Sequence, residues 1–307
     1  MFNKFRDDLL KIKSIKTYDE DGRSSLFDLY TKYFSLLDEG GWEIKQIYSQ
    51  KVDSGSKQID IPIYSLRTIR KGYSFWLTSG IHGEEPAGPN AIAQNIDFIA
   101  RLAKDGMRIV LNPLCNPKGY ILNWRYQNEY RNWRKGESVG DSEHLLIDEK
   151  NVSKPRVSLP TNEQADKFTK YILDAQSDYP TKISVDLHED EKLESAYIYS
   201  QGTKAPNSSV ADRIVQIIGG SGILLQKSGK TRFGEKVLKG VITGAKDGSI
   251  DELLGSKVII KNKKREKGPS VETVIVVETP TVGVSIEKRI LVHSNIIKSL
   301  GILAKSG

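Results

Sequence analysis

Three short segments, far apart along the chain, carry the residue types from which a hydrolytic metal site is built. The first is Thr78-Ser79-Gly80-Ile81-His82-Gly83-Glu84-Glu85-Pro86. A histidine and a carboxylate three positions apart on a tight turn can aim at one point, and Gly80 and Gly83 permit the backbone angles such a turn needs. Glu85, rather than Glu84, has the spacing to partner His82. Pro86 can open the next helix, where a missing N–H costs nothing. The second segment is Ser184-Val185-Asp186-Leu187-His188-Glu189-Asp190. Here His188 caps an apolar strand, and Asp186 shares its strand face, placed to orient a ligand. The third is Val274-Ile275-Val276-Val277-Glu278-Thr279-Pro280. A glutamate after four branched apolar residues is costly to bury alone. Two histidines and one glutamate form a recurrent ligand set for a catalytic zinc, which keeps an open position for water. His82, Glu85 and His188 are therefore the candidate ligands. Glu278 is the candidate base that takes a proton from the water and passes it to the leaving group. Each segment alone also fits a plainer role: a solvated turn, a structural histidine, a carboxylate reaching solvent at a strand end.

These residues need a scaffold that brings them together, and the hydrophobic pattern supplies one. Helical periodicity runs over 25–37 and stops at Glu39-Gly40-Gly41. Extended runs follow around 42–48 and 59–65, with isoleucines at 59, 61 and 63 alternating as on a half-buried strand. Strands are predicted at 73–78, 108–111, 183–187 and 271–277, with shorter extended pieces at 196–199 and 223–225. Helices are predicted at 86–102, at 161–173 with Thr161 as N-cap, at 210–218, and at 286–303 as one terminal helix. Strands alternate with helices and several are apolar throughout. The fold class is therefore α/β, a mixed, largely parallel sheet covered by helices on both faces. In such sheets, sites form beyond the carboxyl ends of strands, where all three segments fall.

The 307 residues are 38% hydrophobic and 28% charged, enough for a sizeable core in one domain spanning 1–307. Residues 1–40 read as a helical lead-in. The formal charge is +7 with a pI near 9.1, and much of it sits in Lys261-Asn262-Lys263-Lys264-Arg265-Glu266-Lys267. This run lies within 252–270, which reads as an inserted basic loop or hairpin. Cys115 is the single cysteine, so no disulfide forms within the chain, and it reads as a buried structural thiol. His144 and His293 read as surface residues. Two acids, Asp7 and Asp8, stand where a signal peptide places its apolar stretch, and no run approaches a membrane span. The expectation is a cytoplasmic protein with no membrane contact.

The order His82-x-x-Glu85, His188, Glu278 resembles the zinc metallocarboxypeptidase family, carboxypeptidase A-like and including the succinylglutamate desuccinylase and aspartoacylase branch. Gly80-Ile81-His82 is similar to the family's entry to its first ligand pair. Asn116-Pro117-Lys118-Gly119-Tyr120 resembles its Asn-Pro-Asp-Gly segment, and Asp247-Gly248-Ser249-Ile250-Asp251 resembles the floor of its side-chain pocket. Glu278-Thr279-Pro280 is similar to the surroundings of the catalytic glutamate. The resemblance spans residues 73 to 282. It implies a three-layer α/β/α fold with an eight-stranded mixed sheet and one Zn2+ per chain. It also implies hydrolysis of an amide in a peptide or N-acyl amino acid that bears a free carboxylate. Ile250 at the pocket floor would favour an apolar or aromatic side chain.

A carboxylate substrate calls for arginine, whose planar fork binds it bidentately. Residues 123–135 are dense in arginine and aromatics. The family's order assigns Arg125 to the scissile carbonyl and its oxyanion, and Arg131 to the substrate carboxylate. The family's Asn-Arg dipeptide is absent; Arg131-Asn132 stands in its place. Arg134 competes for the role, and Asn128 or Asn132 could supply the amide. The family's mobile tyrosine also has no counterpart: the stretch 240–246 offers Thr243 instead. Three readings follow. The first is a metallocarboxypeptidase that removes a C-terminal residue. The second is an N-acyl amino acid deacylase. The third is a non-enzymatic basic module whose interleaved arginines and aromatics could stack nucleic-acid bases, although a nucleic-acid partner fits the motifs poorly.

Overall fold

The computed structural model describes residues 2–54, 57–128 and 140–306. Helices α1 (Phe2–Lys13) and α2 (Leu26–Asp38) precede a long hairpin, β1 (Trp42–Ser54) and β2 (Lys57–Thr68). Next come β3 (Ser74–Ser79), α3 (Ala87–Gln94), α4 (Ile96–Lys104), β4 (Ile109–Asn112) and α5 (Pro117–Leu122). The middle of the chain holds β5 (Ile147–Asp148), β6 (Asn151–Pro155), α6 (Glu163–Ala175), β7 (Thr181–Asp190), β8 (Tyr197–Gln201) and α7 (Ser209–Gly220). It continues with β9 (Ser228–Lys230), β10 (Lys236–Leu238), β11 (Val241–Thr243), α8 (Ile250–Gly255), β12 (Val258–Lys261), β13 (Lys264–Lys267) and β14 (Thr273–Pro280). Helices α9 (Ile286–Lys298) and α10 (Leu300–Ser306) complete it.

Among the described residues one mixed sheet of ten strands runs in the order β1-β2-β4-β3-β7-β14-β8-β11-β10-β9. That is more than the eight the resemblance implies. Its centre is parallel, β4 with β3, β3 with β7, and β7 with β14, and the β1–β2 and β2–β4 pairs on one side are antiparallel. The parallel strands are apolar because both faces are covered. On one face Leu77, Val185, Leu187, Ile275, Val277 and Ile198 join the main core, together with residues of α2, α3, α4, α7 and α9. On the other face Trp76, Val110 and Val274 pack against Phe168, Tyr171 and Ile172 of α6 and Ile250 and Leu254 of α8. The three-layer α/β/α arrangement follows. No helix is long and apolar enough to cross a membrane.

Several boundaries differ from the sequence pattern for identifiable reasons. The helix expected over 86–102 breaks at Asn95, whose side-chain amide donates to the Ala91 carbonyl at 2.7 Å and to Ser294 Oγ at 2.9 Å. The terminal helix breaks at Ser299, whose hydroxyl donates to the Asn295 carbonyl at 2.9 Å. Asn162, not Thr161, caps α6: its Oδ1 accepts from the Ala165 N–H at 2.8 Å, while Thr161 is occupied with the Gly140 carbonyl. The basic run forms the hairpin β12–β13, whose second strand, Lys264–Lys267, is wholly exposed. Strands β7 and β14 both continue two residues past His188 and Glu278, so these side chains stand within the sheet rather than beyond it.

Candidate metal centre

Alternation along the central strands decides what the second sheet face presents. Glu278 is the direct neighbour of His188 in the parallel β7–β14 pair, and Tyr197 is the neighbour of Glu278 across the antiparallel β14–β8 pair. Two residues lower, Asp186, Val276 and Tyr199 form the next row. Both rows face a cavity of about 1290 Å³ whose wall also holds Arg125, Asp141 and Ile250.

His82 and Glu85 reach the same place from the turn after β3. His82 Nδ1 is 2.7 Å from Glu85 Oε1, His188 Nδ1 is 2.8 Å from Glu85 Oε2, and the two Nδ1 atoms are 3.2 Å apart. All three residues are buried, and among the described residues this is the group of histidine, cysteine or acid side chains able to hold a metal ion. The donor chemistry fits one. Burial drops His82 to about 4, with Arg125 pushing the same way and Glu85 opposing them, whereas against its burial His188 is held well above the usual histidine range by Asp186 and Glu85. Glu85 is held well below the usual carboxylate range by His82 and His188 in spite of its burial. His188 Nε2 lies 3.2 Å from Asp186 Oδ2, which fixes the ring so that Nδ1 points at the cluster.

The turn is built by backbone contact. A Cβ on Gly83 would sit 2.0 Å from the Gly119 carbonyl carbon, so only glycine lets the turn lie on α5. Asn116 caps α5, accepting from the Gly119 N–H at 3.0 Å, and its amide donates to the Arg125 carbonyl at 3.1 Å. That carbonyl also accepts from the Gly83 N–H at 3.2 Å. Arg23, 5% exposed, donates to the carbonyls of Gly83 at 3.0 Å and Tyr120 at 2.5 Å. The strand side is braced by Glu189, whose backbone N–H donates to Glu85 Oε2 at 3.3 Å. Its side chain accepts from the Ala87 N–H at 2.7 Å and pairs with the buried Arg289. Burial pushes the Glu189 carboxyl up to about 7 against the pull of Arg289.

Arg125 lies beside the cluster, with Nη1 3.0 Å from Glu84 Oε1 and 3.1 Å from Glu85 Oε1. Burial pushes Glu278 up to about 8, with Glu85 and Asp190 adding to the effect and His188 opposing it. Ile250 lines the cavity at the first turn of α8, which is capped by Ser249. Thr243, exposed, is on the rim. Asn128 is exposed. Arg131, Asn132 and Arg134 lie outside the described residues.

Two histidines expected at the surface are not there. His293 is fully buried, with Nε2 3.1 Å from Thr279 Oγ1, and burial drops it to about 3. His144 is half-buried, with neither ring nitrogen partnered. Sequence reasoning also missed Asp141 as a cavity residue and gave Asp251 no role of its own; both are buried in the cavity wall.

No family model and no curated protein matches the chain in sequence. Solved structures match it in fold. A candidate metallopeptidase from Shewanella baltica OS155 superposes with a TM-score of 0.67 at 18% identity, over 91% of each chain. Carboxypeptidase A from Helicoverpa armigera gives 0.59 at 11% identity, covering 99% of this chain and 80% of its own. The metallo-carboxypeptidase of Pseudomonas aeruginosa, solved with (2-guanidinoethylmercapto)succinic acid, gives 0.54 at 12% identity over 92% and 70%. The chain therefore has the zinc carboxypeptidase-like fold.

Proposed function

We propose that the chain is a zinc-dependent hydrolase that cleaves an amide bond in a carboxylate-bearing substrate, acting as a metallocarboxypeptidase that removes a C-terminal residue. One observation carries this reading: His82, Glu85 and His188 converge in a cavity with Glu278 beside them. The fold-level likeness to metallo-carboxypeptidases supports it, as does the ligand of the Pseudomonas aeruginosa protein, a dicarboxylic acid.

One zinc ion per chain, held by His82, Glu85 and His188, would supply a Lewis acid for the scissile carbonyl and lower the pKa of a water. Glu278 takes the proton of the attacking water and delivers it to the leaving nitrogen. Arg125 turns its guanidinium toward the carbonyl oxygen and stabilises the developing negative charge. Arg131, with Asn132 or Arg134, holds the substrate carboxylate from the segment outside the described residues.

The test is Glu278→Gln. Turnover should fall by about 100- to 10,000-fold, the usual weight of a general base, while elemental analysis still finds one zinc per chain. Full turnover in the variant would overturn the mechanism. C-terminal peptides left intact beside rapid cleavage of N-acyl amino acids would move the activity to the deacylase type.

A further inference from the structure

The expectation drawn from Ile250 was an apolar side-chain pocket, yet the wall around Ile250 is acidic. Asp186, Asp251 and Asp141 are 7%, 7% and 8% exposed, and all line the cavity. Buried carboxylates are normally paired or hydrogen-bonded, because leaving one bare in a low-dielectric wall is costly. Here Asp251 Oδ2 and Asp186 Oδ1 are buried with no hydrogen-bond partner. Burial and their like-charged neighbours push Asp141 and Asp251 upward, Asp186 and Asp247 contributing to both. The wall is constructed rather than incidental. The Ser142 N–H donates to the Gly248 carbonyl at 2.7 Å, which pins Asp141 against the turn that leads to Asp251.

Three of the cations lining the cavity are already engaged; Lys236 and Lys239, on β10 and the turn after it, line it too. Arg125 is on Glu84 and Glu85, Arg232 is 2.8 Å from Asp190, and Lys246 is on Glu149. A second metal ion is a poor occupant, because among the described residues only His82, Glu85 and His188 bring three ligand atoms close enough to share one. A lysine or arginine side chain matches better: its alkyl stem packs on Ile250 and its charged end meets the carboxylates.

Resting on the metallopeptidase reading above, we propose that the wall of Asp141, Asp186 and Asp251 around Ile250 is a specificity pocket for a positively charged substrate side chain.

The pocket is tested first without turnover. The zinc-loaded full-length protein is titrated calorimetrically with L-arginine, L-lysine, L-norleucine and L-phenylalanine. Arginine or lysine should bind at least about 10-fold tighter than norleucine, the weight of one charge-assisted hydrogen bond. Asp251→Asn should erase that preference, and Asp141→Asn serves as the second variant should the first fail to fold. Equal binding of arginine and norleucine, or a preference that survives both variants, overturns the proposal. Blocked dipeptides ending in arginine, lysine, leucine or phenylalanine then separate it from the activity itself. Hydrolysis that favours leucine or phenylalanine ends sinks the pocket and leaves the peptidase. Asp251-dependent arginine binding without hydrolysis of any dipeptide keeps the pocket and sinks the peptidase.

Discussion

An acidic wall kept for binding should weaken the fold, and Asp141→Asn measures by how much. In the folded chain burial pushes Asp141 from 3.8 up to about 7, helped by Asp186 and Asp247 and opposed by His188 and Arg125. A carboxyl whose folded pKa lies above its unfolded value holds its proton more tightly when folded. Its penalty is therefore absent below pH 3.8, grows as pH rises, and is complete above pH 7. Each pH unit in that window is worth about 1.4 kcal/mol, so between pH 5 and pH 8 the carboxylate costs at most about 3 kcal/mol. Relaxation around an open cavity reduces this to roughly 1–2 kcal/mol, since effective dielectric values in proteins exceed those of a dry interior. Asparagine keeps the shape and removes the charge. Urea denaturation of metal-free wild type and Asp141→Asn at pH 5 and pH 8 should show the stability difference moving in the variant's favour by about 1–2 kcal/mol from pH 5 to pH 8. A difference that is the same at both pH values, or that moves the other way, would refute the assignment of Asp141 as an uncompensated buried acid.

Arg289→Leu leaves Glu189 buried beside the metal ligands without its ion-pair partner, and should cost about 3–5 kcal/mol in urea melts. Adding Glu189→Gln should restore most of that loss, a coupling a double-mutant cycle reads directly. Gly83→Ala puts a methyl into the Gly119 backbone; the variant should lose metal affinity at least 10-fold, measured by competition with a chromophoric chelator, because the turn must lift off α5. Stripping the metal from wild type should lower its melting temperature in a concentration-dependent way reversed by added zinc, whereas His188→Ala should not respond to zinc.

The meeting of His82, Glu85, His188 and Glu278 was legible because the signals are local: a histidine and acid on a glycine turn, and two polar residues that follow apolar runs. The acidic wall was not, because Asp141 becomes buried only when Ser142 bonds to Gly248, a contact across more than a hundred positions. Arg23 and Arg289 were equally silent, since a buried arginine is explained only by carbonyls and a carboxylate from distant elements. His293 is a different case. It follows Ile286, Arg289 and Ile290 at the spacing of one helix face, and all four are buried. The stripe was visible, and the polarity of histidine hid it. The helix breaks at Asn95 and Ser299 arose from side chains bonding to the preceding turn, a competition that hydrophobic periodicity does not register.

The pairing of Glu278 with His188, neighbours in adjacent parallel strands, constrains how this chain can change. Losing or gaining a single residue within 273–278 would rotate every following side chain to the opposite side, replacing the acid by Val277 or Thr279 and sending the carboxylate into the hydrocarbon interior. The interior strands therefore accept substitutions but not changes of length. Insertions and deletions are confined to the surface connections, so divergence in what the molecule accepts must come from the loops and from single replacements in the cavity wall.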